Sequence, residues 1–262
     1  MTTDISTSRA TKYSPATRHR VHIQQSTLTV FILVFLLGLA LLLRLTDLKD
    51  PPLAFNPTRQ LRSAIIARGI YYTSLPGANP ETRRIAVAHQ RSMVTYEPPI
   101  LETIVAAVYR LMGGEYVWVA RVINSVFWLI GGIALFDLAR RMTSDWGALV
   151  GVGFYLILPL SVFASRSFQP EPGMTMWIIL AIYALYRWGE NPSWEWALLA
   201  GITAGIGALT KIVAAFFIGP AAIAVVLGQA ASGRQQVASS KWQVGKWQVG
   251  KWQVGKWQVG KW

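Results

Sequence analysis

Residues 27–45, TLTVFILVFLLGLALLLRL, decide how the rest of the chain is to be read. Residues 21–43 contain no Asp, Glu, Lys or Arg, and Val30 to Leu43 is apolar without interruption. A helix of about 20 mostly apolar residues crosses a bilayer core about 30 Å thick, so this stretch reads as a first membrane span. It is too long and too late in the chain for a typical cleaved signal, and no A-x-A-like site follows it. It is expected to remain as an anchor. The composition agrees: 53% of the 262 residues are hydrophobic and 14% charged, with mean hydropathy +0.36, too apolar for an ordinary soluble domain.

Outward from that span, further apolar stretches lie at 117–139, 146–165 (free of charge), 173–188, 195–210 and 212–228. The expectation is an all-α, polytopic membrane protein of six spans. Pro99 to Gly113, PILETIVAAVYRLMG, is apolar but covers only 15 residues. Helical spacing puts Leu101, Ile104, Val105, Val108 and Leu111 on one face and Glu102, Ala106, Tyr109 and Arg110 on the other, the pattern of a helix lying at the interface. If this helix does not cross, the N-terminal tail, Arg140/Arg141, Arg187 and the lysine-rich C-terminus share one side, as the positive-inside rule requires. The resulting plan is a basic cytoplasmic tail over 1–26 and a membrane domain over 27–228. An external loop spans 46–116, and a tail over 229–262 returns both termini to the cytoplasm of a plasma-membrane protein.

The charge fits that plan. Twenty-five Lys and Arg against 12 acids give +13, which in a soluble protein would point to nucleic acid. The first 26 residues carry +3 and the last 34 carry +6, Arg44 adds one, and only +2 and +1 fall in 46–115 and 116–228. Basicity concentrated at the ends orients a membrane protein, so the bilayer is the expected partner and nucleic acid is not. The absence of cysteine removes disulfides, thiolate zinc sites and a Cys nucleophile. His19, His22 and His89 lack metal-ligand spacing. No cofactor and no divalent metal is implied.

A loop of about 70 residues is functional or disordered as a rule, and this one reads as ordered. Arg59 to Tyr72, RQLRSAIIARGIYY, places Leu61, Ala64, Ile65 and Tyr72 on one helical face and Arg59 and Arg62 on the other, a second interfacial helix. A third short element is expected over Pro80 to Met93, and Pro98-Pro99 set the start of the next helix. Arg59, Arg62, Arg68, Arg83, Arg84 and Arg91 favour an anionic ligand as a set, because Arg pairs bidentately with phosphate; singly, each reads as a solvated or headgroup contact. Glu171, between Pro170 and Pro172, has two readings: a general base for an acceptor hydroxyl, or a carboxylate stabilising a helix start. Lys211 is either a functional cation inside an apolar stretch or a snorkelling side chain.

The order of these motifs resembles the N-terminal part of the family 39 glycosyltransferases of GT-C fold, relatives of protein O-mannosyltransferases and of the aminoarabinose transferase that modifies lipid A. The family's acidic pair followed by Thr-Arg corresponds to Phe55-Asn56-Pro57-Thr58-Arg59-Gln60. Its aromatic-Glu/His-x-Pro-hydrophobic stretch corresponds to Tyr96-Glu97-Pro98-Pro99-Ile100. A span ending in Leu138-Ala139-Arg140-Arg141, the acid of Glu171-Pro172, and Leu209-Thr210-Lys211 complete the series over about 45–215. The resemblance implies transfer of a hexose or pentose from a polyprenyl-phosphate-linked sugar to an acceptor on the outer side of the membrane. Arg59, Lys211 and the loop arginines, Arg62 among them, would hold the donor phosphate, with Tyr96 beside them. The family's first-loop catalytic Asp falls on Asn56 and the neighbouring acid on Pro57. Glu97 or Glu171 then serves as base, or Asn56 only orients the acceptor, or the chain is inactive; Glu171 is the base this reading favours. The competing reading is a non-catalytic membrane protein or polyprenyl-lipid carrier.

From Lys241 the chain repeats KWQVG four times and ends Lys-Trp. A period of five turns Trp by about 140° per unit on a helix and alternates faces on a strand, so no apolar face forms. The tail is expected to be unfolded and to mark a tandem-repeat interruption of a longer gene, or else to adhere to the anionic inner leaflet.

Overall fold

The computed structural model describes residues 15–95 and 97–231, with side chains from Thr27 onward. Residues 1–14 of the basic tail, Tyr96 and the KWQVG repeats lie outside the described residues. Among the described residues the chain is all-helical. The elements are α1 (Pro15–Leu45), α2 (Pro57–Ser74), α3 (Pro80–Ser92), α4 (Ile100–Met112), α5 (Trp118–Met142), α6 (Asp145–Ile157), α7 (Pro159–Ser165), α8 (Glu171–Glu190) and α9 (Trp194–Thr210). A tenth, α10, covers Ala214–Ala231. Every expected span contains a helix. Length and composition alone qualify Thr27–Leu45, α5 and α10 to cross a membrane, and α6 with α7 if that bent pair is one span. The multi-pass architecture stands, while the count of six remains an expectation.

The stretch 146–165, expected as one continuous span, is broken: α6 and α7 meet at 58°. Pro159 causes this, because proline has no N–H and its ring collides with the carbonyl four residues back. Leu158 before it is driven out of the helical region, to φ −51 and ψ 135. The break frees the Tyr155 and Leu156 carbonyls, which a continuous helix would bond to residues 159 and 160. The Trp128 indole donates to Tyr155 O at 3.0 Å, and Arg44 Nη1 donates to Leu156 O at 2.9 Å. Arg44 Nε also reaches Ser165 Oγ in α7 at 2.7 Å. Arg44 is wholly buried, so a cation that the sequence groups with the terminal charges is a clamp across the helix break.

The loop helices α2 and α4 form a layer over the end of α5, around a core of Ala67, Tyr71, Val105, Tyr109, Val119 and Phe168, with α3 packed on α2. Two expected faces are corrected. Helix α4 buries Glu102, Ala106 and Tyr109 together with Leu101 and Val105, and leaves Ile104 and Leu111 outside. Helix α2 buries Gln60, Ser63, Ala67 and Tyr71 and exposes Leu61. Both have one cause: buried polar groups need internal partners, which these helices supply to each other, Ser63 Oγ donating to Glu102 Oε1 at 2.7 Å. An apolar residue at a membrane surface, by contrast, has no need to face protein.

The connections at this end of the bundle are pinned by side chains. Arg121 Nη1 donates to the carbonyls of Asp47 and Leu48 at 2.8 and 3.0 Å, and Nη2 to that of Pro51 at 3.1 Å. Gln60 donates to the carbonyls of Ala54 and Phe55 and accepts from Phe168 N at 3.0 Å. Gln169 donates to Phe55 O at 3.0 Å, and Asn124 Nδ2 to the carbonyls of Ser167 and Gln169 at 2.6 and 3.0 Å. The 46–56 segment and the 165–170 turn are thereby locked together just ahead of Glu171.

Candidate functional site

Glu171 opens α8, and two cations distant in sequence converge on its Oε1. Lys211, the C-cap of α9, approaches with Nζ at 2.7 Å, and Arg59, in the first turn of α2, donates through Nη1. Oε2 is buried and has no hydrogen-bond partner. Glu171 precedes the apolar stretch 173–188. Burial raises its pKa, but the Lys211 hydrogen bond, its own backbone N–H and the charges of Lys211 and Arg59 outweigh that and hold it below the usual carboxylate range. The carboxylate is therefore ionised at neutral pH.

Beside this cluster Arg62 pairs with Glu97, Nη2 to Oε2 at 3.7 Å. Arg59, Arg62, Glu97, Glu102 and Glu171 line one narrow cleft of about 20 Å³, room for about one water. Burial pushes the Glu102 carboxyl up, opposed by the hydrogen bond from Ser63. Among the described residues no group of three or more His, Cys, Asp or Glu is placed to hold a metal ion.

The structure thus brings together Glu171, Glu97, Arg59, Arg62 and Lys211. Lys211 lies along Glu171 instead of reaching for headgroups. Asn56 stands apart from the cleft walls: it caps α2 in a left-handed conformation, φ 58 and ψ 63, with no side-chain capping bond, and its carbonyl accepts from Arg59 N at 3.1 Å and Gln60 N at 3.3 Å. Its place is at the root of the helix that carries Arg59. Tyr96 is outside the described residues. Arg68 pairs with Glu115 at 3.2 Å, Arg84 with Glu81 at 2.6 Å, and Arg83 holds the Tyr72 and Leu75 carbonyls, so these arginines stabilise the loop away from the cleft.

The sequence reading missed Glu102, Gln60, Arg121 and Arg166. The signal for Glu102 was its alignment with Ala106 and Tyr109 at i, i+4 and i+7, a small and aromatic stripe that packs inward. On the far side of Gln60, Asp47, Asp50, Leu53, Arg121, Phe163 and Arg166 line a second cavity of about 310 Å³.

A bundle of apolar helices beneath a layer of loop helices, with a long-range ion-pair cluster where they meet, defines a multi-pass membrane protein with its polar site at one end. Residues 96–245, more than half of the chain, match the model of the dolichyl-phosphate-mannose-protein mannosyltransferase family, and the chain belongs to that family. It is a family of membrane glycosyltransferases of the GT-C type. The matched segment contains Glu97, Glu171 and Lys211 and begins after Asn56, Arg59 and Arg62. Neither curated proteins nor solved structures give a match.

Proposed function

We propose that this protein transfers a sugar from a polyprenyl-phosphate donor to an acceptor hydroxyl at the external face of the plasma membrane, with both termini in the cytoplasm. The observation that carries the reading is the convergence of Lys211 and Arg59 on one oxygen of Glu171. Two cations aimed at a single anionic oxygen also suit a phosphate, and Arg59, with its side chain 51% exposed, is free to turn toward one. In this reading the acceptor oxygen attacks the anomeric carbon, the bond from that carbon to the phosphate oxygen breaks, and the lipid phosphate leaves with the electron pair. Lys211 and Arg59 stabilise the charge that develops on it, with Arg62 and Tyr96 at its side. Glu171 takes the hydroxyl proton through Oε2, Glu97 holds Arg62 in place, and Asn56 orients the acceptor.

The test is label transfer from a radiolabelled polyprenyl-phosphate sugar in membranes containing the full chain. The expected result is transfer in the wild type and its loss in Glu171→Gln; full retention in that variant removes Glu171 as base. The second reading, a lipid carrier, draws support from the amide at position 56, which cannot accept a proton as a carboxylate does. Bound but untransferred donor would establish it.

A further inference from the structure

Two buried glutamines beside the Glu171 cluster have no part in the chemistry above. Gln60 follows Arg59, and Gln169 stands two residues before Glu171. Both donate to one acceptor, the Phe55 carbonyl, at 2.9 and 3.0 Å, which engages both lone pairs of that oxygen. Gln60 Oε1 accepts from Phe168 N at 3.0 Å, and the chain joins Phe168 to Gln169, so the circuit closes on itself. Gln60, Phe168 and Gln169 are 3%, 0% and 1% exposed. Asn124 braces the far side, donating to the carbonyls that flank Phe168, those of Ser167 and Gln169.

The circuit joins the two segments from which α2 and α8 start. Phe55 and Asn56 hold φ of 46 and 58, a region costly for a side chain as bulky as Phe, and such a conformation persists only where the surroundings over-determine it. Arg59 then stands in the first turn of α2, where the helix dipole disfavours a cation and no acidic residue of that turn offsets it. Its partner, Glu171, comes from α8. We propose that Gln60 and Gln169 are positioning residues: through the Phe55 carbonyl they share, they hold the start of α2 so that Arg59 meets Oε1 of Glu171 and Oε2 is left for the acceptor. This rests on the glycosyl-transfer reading and adds to it what aligns the base with a phosphate-binding cation. Gln169 is the more informative of the two. Without its amide, Phe55 O keeps Gln60 as a partner, so the circuit opens at the loss of one hydrogen bond.

The experiment follows Glu171 directly. Full-length protein in lipid nanodiscs is titrated by infrared spectroscopy, and the carboxyl band that Glu171→Gln removes reports the protonation of Glu171. Burial raises its pKa, and Lys211 and Arg59 lower it; Arg62, Glu97 and Glu102 line the same cleft and stay intact in every variant. Gln169→Met is expected to move the midpoint up, towards that of Arg59→Met. It should add no further shift in the Arg59→Met background, because residues acting through one contact are not additive. Gln169→Asn keeps the amide but is one methylene shorter, which guards against misfolding of the Met variant, and should behave in the same way. In the label-transfer assay both Gln169 variants should lose about ten- to hundredfold in kcat/KM. An unmoved midpoint in both, or a shift of the same size with and without Arg59, overturns the assignment, as does unchanged transfer in variants whose midpoint has moved. Midpoints that behave as expected in a wild type that transfers no sugar would instead count against the glycosyl-transfer reading and leave the positioning of Arg59 standing.

Discussion

The molecule carries two charge clusters, one at each end of α8, and they are built differently. At the end distant from the loop helices, Asp137 accepts at 2.8 Å from Arg140, Arg141 and Tyr183. Glu190 pairs with Arg141 and Arg187 at 3.1 and 3.3 Å, and Arg187 lies 4.7 Å over the Trp196 ring. Three of those ion pairs are local, between residues three or four apart, so they form as soon as the helix does and contribute about 0.3–0.5 kcal/mol each. Both oxygens of Asp137 are engaged. At the loop end, Glu171 draws Arg59 from 112 residues away and Lys211 from 40, both on one oxygen, and its other oxygen has no hydrogen-bond partner. The first cluster ties α5 to α8. The second forms only when the whole fold is in place and leaves one anionic oxygen unpartnered, as the proposed function requires.

The sharpest way to break this contrast is to neutralise one carboxylate in each cluster. Glu171→Gln is expected to lower sugar transfer by about 10²–10⁴, the usual contribution of a general base. Asp137→Asn should leave turnover within about twofold while lowering thermal stability by about 1–3 kcal/mol, read as a Tm shift in detergent. Equal losses of turnover in the two variants would erase the distinction. Next in size, Lys211→Met is expected to reduce kcat/KM for the lipid donor by about a hundredfold, with little change in Tm, in steady-state kinetics.

Arg44→Met tests structure alone. It strips the Leu156 carbonyl of its partner and should cost about 1–3 kcal/mol, with increased proteolysis near residue 158 as a second measure. The smallest effect belongs to Glu102. Its folded pKa is raised, so the folded state holds that proton more tightly than the unfolded chain. The associated stability is present below the ordinary carboxyl pKa and is lost as pH rises through the folded value. Glu102→Gln keeps an acceptor for Ser63 and should flatten the pH dependence of Tm between acid and neutral pH, gaining about 1 kcal/mol at the neutral end.

Much of the fold was legible in the sequence because hydrophobic length is a local property. Each expected span contains a helix, and the loop elements expected after Arg59 and over Pro80 to Met93 are α2 and α3. The break at Pro159 was legible in principle, since proline interrupts any helix, but the charge-free composition of 146–165 hid it. The inward faces of α2 and α4 were not legible. Periodicity assumes that apolar residues turn toward protein and polar ones toward water, whereas Leu61, Ile104 and Leu111 are exposed and Gln60, Ser63 and Glu102 are buried. Of the candidate site, the sequence supplied Glu171, Lys211, Glu97, Arg59 and Arg62 as separate residues; it gave no means of telling which arginines of the loop reach the carboxylates and which brace the loop itself.

What the sequence determined by itself is therefore the solvent and the secondary structure: long apolar runs demand a bilayer, and a bilayer demands helices, because backbone groups without water must bond within their own segment. What only the tertiary structure decided is which charges meet. Arg44 and Arg59 are the same residue type fifteen positions apart, yet one is sealed against freed carbonyls and the other stands half exposed beside Glu171. Their roles follow from electrostatics acting over a few ångströms between segments that sequence separation keeps apart and packing alone brings together.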